Sequence, residues 1–443
     1  MARPPRLLTG LLALAVLAGC ASGGGGSDAA PVGERGWLGG TPRFRDSAEG
    51  AIGVAGERLA AAGTSTGHDD AAGDAAGAAS SAAIDPASPP VEQQQGIGLR
   101  AGSVDDNDQW EAYLRYRDLF FATGTPVHDV PVAGRQVVTV VTPDGSPVLG
   151  ALVELRDRDG DGGGVVVARA RTAGDGVAYL HPPVATGGEQ QSSAGYRATV
   201  TKDGARSEVT LEAGDRSHRI ELDAAGVDEV ALDVLFLVDT TGSMGDEIER
   251  LKAHMVSVAE RIAALPAAPD VRFALTVYRD RGDAFVVATR DFTSDVAGFV
   301  AALREVQAGG GGDEPEDLNA GLHSALTEPS WRGDGAVKLV FLVADAPPQL
   351  GYDGPDYAED VLLAAERGVI VHSIASSGLN DQGEFVFRQL AQLTGGRFVF
   401  LTYGADGASP GDSTPHHVDG YSVLALDDLV VQLVAEELEP LAR

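Results

Sequence analysis

Asp239, Thr241 and Ser243 occupy alternate positions in "VLFLVDTTGSMGDEIERL", residues 234–251. An apolar run, Val234 to Val238, ends on the carboxylate; two hydroxyls follow, and a helical pattern begins. Three chemistries could use such a corner: a phosphate cradle, a nucleophilic serine, or a hard metal ion. A P-loop cradle requires G-x-x-x-x-G-K-[ST], and no lysine falls within 239–251. The serine reading has more behind it. "TGSMG" is one residue from G-x-S-x-G, and the order Ser…Asp…His can be met by Ser243, Asp345 and one of His372, His416 or His417. Against it, the strand ends four residues before the serine, and Asp239 would have no task, although a charge at a buried strand end needs one. A hard divalent cation uses every member. Mg²⁺ or Mn²⁺ takes six oxygens and keeps several waters, and Ca²⁺ is a further candidate with the same preference. Asp246, Glu247 and Glu249 suit the positive end of a helix and need no metal.

The elements around the corner alternate from Ala225 onward. Apolar strands are expected at Leu232–Val238, Arg272–Val277, Lys338–Ala344, Val369–Ile374 and Arg397–Leu401, with helical patterns between them. In "GDEIERLKAHMVSVAERIAAL" the apolar residues Ile248, Leu251, Met255, Val258, Ile262 and Leu265 step by three and four along one helix face. "AFVVATRDF", residues 284–292, reads as an antiparallel edge strand. Alternation of this kind predicts a doubly wound, Rossmann-like α/β domain over 225–443. Open α/β sheets bind ligands at the carboxyl ends of strands, near the reversal of strand order. Asp239 sits at one such end, and Asp345, in "LVFLVADAPPQ", at another.

"DTTGS" at 239–243 resembles the D-x-[ST]-x-S of the metal-ion-dependent adhesion site in von Willebrand factor type A domains. "YRDRGD", "GGGGDEPED" and "ADAPP" strengthen the likeness, which covers about 230 to 443. The resemblance implies a binding module and not an enzyme. Asp239, Thr241 and Ser243 would hold the metal, Asp345 would support it directly or through water, and an open position would accept a partner's carboxylate. The family's usual Gly-Gly-Thr is replaced here by "GGGGDEPEDLNAGL", residues 309–322, which contains no threonine. Asp313 or Glu316 would stand where a neutral hydroxyl is expected. An extra carboxylate implies tighter metal and a weaker pull on an acidic ligand, or even an internal ligand filling the open position.

The remainder of the chain describes how such a module is presented. "MARPPRLLTGLLALAVLAGC" has two arginines, a short apolar stretch and small residues, the pattern of a secretory leader over 1–19. "LAGC" resembles the lipobox of bacterial lipoproteins, with Cys20 as the acylated first mature residue. Cys20 is the only cysteine of the 443 residues, so a disulfide role is excluded within the chain. Residues 20–107, rich in Ala, Gly, Ser, Pro and Asp, read as a disordered tether. "QWEAYLRYRDLFF" lies in a short helical segment, 108–126, expected to dock on the following domain. Period-2 runs separated by Asp-Gly turns over 127–224 predict antiparallel strands in a β-sandwich. This region resembles carboxypeptidase-regulatory-like modules. A net charge of −32 argues against nucleic acid or anionic lipid as partners, leaving the membrane to be reached only through the lipid anchor.

The expected protein is thus an exported, lipid-anchored component of the cell envelope, at the outer membrane where one exists. Its type A domain would bind a protein or envelope component through a carboxylate in the presence of metal. The alternatives are an exported hydrolase built on Ser243 and a structural envelope protein whose metal only stabilises the fold or whose site is degenerate. Three smaller signals read as background. "DRDGDG", 157–162, lacks the glutamate that completes a calcium loop and suits a hairpin turn. The two Arg-Gly-Asp tripeptides at 281–283 and 332–334 fit chance, and His416 and His417 fit a surface loop.

Overall fold

The computed structural model describes residues 99–442 apart from 159–163, 184–194, 228, 267, 313 and 403–413. The leader, Cys20, most of the tether, most of the "DRDGDG" turn and Asp313 therefore lie outside the described residues. Residues 90–443 form one compact unit. In chain order it contains β1 (Arg100–Val104), α1 (Trp110–Thr123), β2 (Gln136–Val141), β3 (Leu152–Asp157), β4 (Val166–Arg171), β5 (Val177–Leu180), β6 (Tyr196–Lys202), β7 (Ala205–Leu211) and β8 (Ser217–Glu221). There follow β9 (Ala231–Asp239), α2 (Gly245–Ala263), β10 (Asp270–Tyr278), β11 (Val287–Thr293), α3 (Val296–Arg304), α4 (Leu318–Thr327) and β12 (Ala336–Ala344). The last elements are α5 (Tyr357–Arg367), β13 (Val369–Ala375), α6 (Asp381–Thr394), β14 (Phe398–Leu401), β15 (Ser422–Ala425) and α7 (Leu426–Leu438).

A mixed sheet runs β11-β10-β9-β12-β13-β14-β1-β15. Strands β10, β9, β12, β13 and β14 are parallel, and β11 closes one edge antiparallel to β10, as "AFVVATRDF" predicts. Period 2 divides β9 between two cores. Leu232, Val234, Phe236 and Val238 pack beneath α2, α3 and α7, while Leu235 and Leu237 face α4, α5 and α6. The helix face read from the sequence buries Ile248, Met255, Val258 and Ile262 in the first of these cores. Because β9 continues to β10 on one side and β12 lies on its other side, strand order reverses beside Asp239.

Three features differ from expectation. Residues 100–104, assigned to the tether, form β1, which pairs antiparallel with both β14 and β15. The segment "RAGSV" has little apolar content, so its place comes from ladder hydrogen bonds and the close approach that Gly102 allows: a Cβ there would lie 2.4 Å from the Phe400 ring. Helix α1 docks on α6 and not on the sandwich that follows it. Tyr113, Tyr116 and Phe120 share one face, and the Phe120 and Phe385 rings stack at 4.3 Å. The sandwich itself pairs sheet β5-β2-β8 with sheet β4-β3-β6-β7 around Val138, Val140, Leu155 and Val200. Its β2–β8 pair is parallel, because β8 returns to β2 after the chain has built the opposite sheet, and no hairpin joins the two.

Helix α4 crosses β10 at Gly321, where a Cβ would meet the Tyr278 ring at 2.8 Å. Gly321→Ala should therefore destabilise the protein by about 1–3 kcal/mol through overpacking. Urea unfolding checks this, and an unchanged midpoint would show that the helix can lift without cost.

Candidate metal centre

Asp239 ends β9 fully buried. Its Oδ1 accepts from the Thr241 N–H at 2.9 Å and the Thr241 hydroxyl at 2.7 Å, and the Thr241 and Ser243 hydroxyl oxygens stand 3.3 Å apart. The three residues of the spaced motif thus meet in one corner. Ser243 is exposed at its mouth, while Thr241 is buried. Asp345 follows β12 directly; Val343 of that strand is registered with Val238, so the two aspartates leave neighbouring strand ends.

The glycine run 309–312 closes the corner from the side. Gly309 N–H donates to Thr240 O and Gly242 N–H to Gly310 O, both at 3.0 Å. Gly311 has φ +62°, and a Cβ there would lie 2.8 Å from Thr241 Cβ and 2.9 Å from Glu316 Oε1. Only glycine fits so close an approach. Asp283 Oδ2 accepts from the Gly311 N–H at 2.9 Å. Glu316, 2 % exposed, is held by backbone hydrogen bonds to Pro347 and Gln349 in the loop after β12. Of the two carboxylates expected in place of the threonine, Glu316 lies in the corner, and Asp313 falls outside the described residues.

Electrostatics make the corner hostile to its own charges. Burial, and then Asp345, push the Asp239 carboxyl up to about 7. Burial pushes Glu316 up to about 8, reinforced by Asp239, Asp280, Asp283 and Asp345. Tyr278, fully buried, is raised well above the usual phenol range by burial and then by Asp239, Asp345 and Glu316. Among the described residues no lysine or arginine pairs with Asp239, Asp280, Asp283 or Glu316. The nearby Arg281 is committed to Asp317 at 2.9 Å and to Asp353 O.

The donor set fits a hard cation. Asp239 Oδ2, Asp280 Oδ1 and Glu316 Oε2 are buried oxygens without a hydrogen bond, and the side chains of Asp239, Thr241, Ser243, Asp283 and Glu316 offer oxygen alone. Asp280 and Asp283 belong to this cluster through a tertiary contact; their only sequence signal is that "YRDRGD" begins where β10 ends. Tyr278 gave no signal of its own.

The histidines of the hydrolase alternative are engaged elsewhere. His372 accepts the Arg397 N–H at its Nδ1, and His416 and His417 approach Glu384. His416 is not a surface residue: its side chain is 5 % exposed. Both Arg-Gly-Asp arginines are engaged internally, Arg281 with Asp317 and Arg332 with Asp233 and Asp270.

Residues 233–403 match the von Willebrand factor A domain family model. A Dictyostelium discoideum protein named as an alpha-protein kinase is 31% identical over 160 residues, 34% of this chain and 24% of its own length. Human von Willebrand factor A domain-containing protein 7 is 34% identical over 136 residues, 31% of this chain and 14% of its own. The chain thus spans a quarter or less of these relatives. Among solved structures, proximal thread matrix protein 1 from the mussel byssus, described with a zinc-occupied metal-ion-dependent adhesion motif, aligns with TM-score 0.30 and 18% identity, over 38% of this chain and 41% of its own. A likeness that remote carries no weight for function. Residues 233–403 of this chain are a von Willebrand factor A domain.

Proposed function

We propose that this chain is a surface-tethered bacterial lipoprotein whose type A domain binds a divalent cation and, through it, a carboxylate of a protein or envelope partner. The observation that carries the metal reading is the buried Asp239 Oδ2, without a hydrogen bond, beside buried Asp280 and Glu316 oxygens in the same condition. Asp239, Thr241 and Ser243 would hold the ion, with Asp345 and Glu316 in support. The ion would neutralise the corner and offer a position to an anionic ligand. Glu316 adds a negative charge to that shell, which favours retention of metal and weakens attraction for an acidic partner. Mg²⁺ or Mn²⁺ suits an all-oxygen set, and Ca²⁺ shares the preference.

The lipid anchor at Cys20 rests on the leader pattern alone. No helix among the described residues is long and apolar enough to cross a membrane. The binding role is non-catalytic, so Ser243 should not label with a fluorophosphonate.

The test is thermal unfolding after EDTA stripping, with Mg²⁺, Mn²⁺ or Ca²⁺ added back. A ligand of the native state alone stabilises by about 2.7 kcal/mol at a hundredfold excess over its dissociation constant. A rise in midpoint that disappears in Asp239→Ala is expected. No rise with any of the metals would leave a degenerate site.

A further inference from the structure

A second cluster lies at the start of α6 and shares no residue with the corner at Asp239. Asp381 and Glu384 stand in the first turn of α6, and His416 and His417 reach them from the loop before β15. One oxygen each of Asp381 and Glu384 and a ring nitrogen of His417 lie within 4.8 Å of one another. His417 Nδ1 is 3.2 Å from Glu384 Oε2 and 3.9 Å from Asp381 Oδ1. A tetrahedral ion with bonds of 2.0–2.2 Å holds its ligand atoms roughly 3.2–3.6 Å apart. The first separation already has that value. The second closes by a small rotation of Asp381, which is free to move with 68 % of its side chain exposed.

The central ligand is fixed before any ion arrives. Arg388 donates to Glu384 Oε1 at 3.2 Å, to both oxygens of the buried Asp106 at 2.6 and 2.9 Å, and to His417 O at 2.7 Å. The His417 N–H donates to the same Glu384 carboxylate. His416 Nδ1 stands 3.2 Å from Glu384 Oε2 on the buried side. Glu384 is 1 % exposed, and a buried carboxylate anchored by an arginine and oriented by an imidazole has the supporting shell of a metal ligand.

Beside the cluster lies an unpaired phenol. Tyr116 is 8 % exposed, and its hydroxyl makes no hydrogen bond. Its ring lies 6.3 Å from that of His417, and with Arg388, His416 and His417 it lines a cavity of about 430 Å³ between α1 and α6. This buried phenol, on the wall of the same cavity as Asp381 and His417, is a polar group for which a metal-bound water would be a partner.

We propose that Asp381, Glu384 and His417 form a second divalent-cation site at the mouth of this cavity, of a kind that suits a transition metal such as Zn²⁺. One imidazole nitrogen with two carboxylate oxygens selects against Mg²⁺ and Ca²⁺, and three protein ligands leave a position open toward the cavity.

The test uses the full chain carrying Asp239→Ala, so that the first site is silent whatever its own nature. After EDTA stripping, Co²⁺ is titrated and the visible absorption recorded, and Zn²⁺ affinity is measured against a chromophoric chelator. The expected result is a band that saturates at one equivalent and is displaced by Zn²⁺. His417→Ala and Asp381→Asn should abolish the band and weaken Zn²⁺ by at least about tenfold. Both side chains are more than half exposed, so these variants should keep the parent's far-UV circular dichroism. Absence of the band, or a band and affinity unchanged by either substitution, overturns the proposal.

Discussion

Asp239→Asn should stabilise the metal-free protein and at the same time abolish its response to metal. The asparagine keeps an oxygen for the Thr241 N–H and hydroxyl, so the turn retains its hydrogen bonds. It loses the charge that burial and Asp345 oppose. A carboxyl held at about 7 against an ordinary 3.8 resists ionisation by on the order of 4 kcal/mol. Between about pH 4 and 7 the folded state keeps the proton that the unfolded chain has released, so metal-free stability falls as pH rises through that window. Above it the full penalty is present. The substituted side chain carries no such penalty, and a stripped Asp239→Asn protein at pH 8 should unfold at higher urea than a stripped wild type. With saturating Mg²⁺ or Mn²⁺ the order should invert, because only the carboxylate gains from the cation. For the same reason the wild type's metal affinity should rise with pH across the neutral range. Urea midpoints for both proteins at pH 5 and pH 8, with EDTA and with metal, check each of these signs. Equal midpoints in every condition would mean that Asp239 is neither strained by charge nor a ligand.

Removing Arg388 should cost more stability than Gly321→Ala. Arg388 forms a two-bond pair with Asp106 and a third bond with Glu384, and the three side chains are 3, 2 and 1 % exposed. Its guanidinium also lies over the Tyr116 ring at 3.8 Å. Arg388→Met preserves much of the volume but leaves two carboxylates buried without their cation. Breaking a buried pair from one side costs about 3–5 kcal/mol, because the orphaned charge remains. Most of that loss should be recovered in Arg388→Met combined with Asp106→Asn and Glu384→Gln, which removes the charges together. Urea unfolding measures both, with the slope checked for a change of mechanism. A loss below about 1 kcal/mol in the single variant, the range of a solvated pair, would show that water reaches these groups.

Much of the fold was legible because it rests on local pattern. The five apolar strands, the edge strand near 284–292 and the helix face through Ile248, Met255, Val258 and Ile262 are periodic within single windows, and burial by period needs no knowledge of partners. Asp239, Thr241 and Ser243 were legible for a similar reason. They fall within one five-residue turn, so local backbone geometry alone brings their oxygens together.

Tertiary structure decided whatever depends on residues far apart in the chain. Strand β1 has no apolar period and exists because β14 and β15 supply both of its ladders. Helix α1 was legible as a short helical segment, but only the fold identified Phe385, more than two hundred residues away, as the partner of its Phe120. Glu316 is held in the corner by backbone pairing with Pro347 and Gln349, some thirty residues on in the chain. His416 and His417 lie some thirty residues from Glu384, so nothing in their own neighbourhood could mark them as ligands. Amino-acid order determines chemistry wherever the reacting groups share a turn. Where they meet across strands and loops, the chain specifies the groups, and packing alone determines their distances.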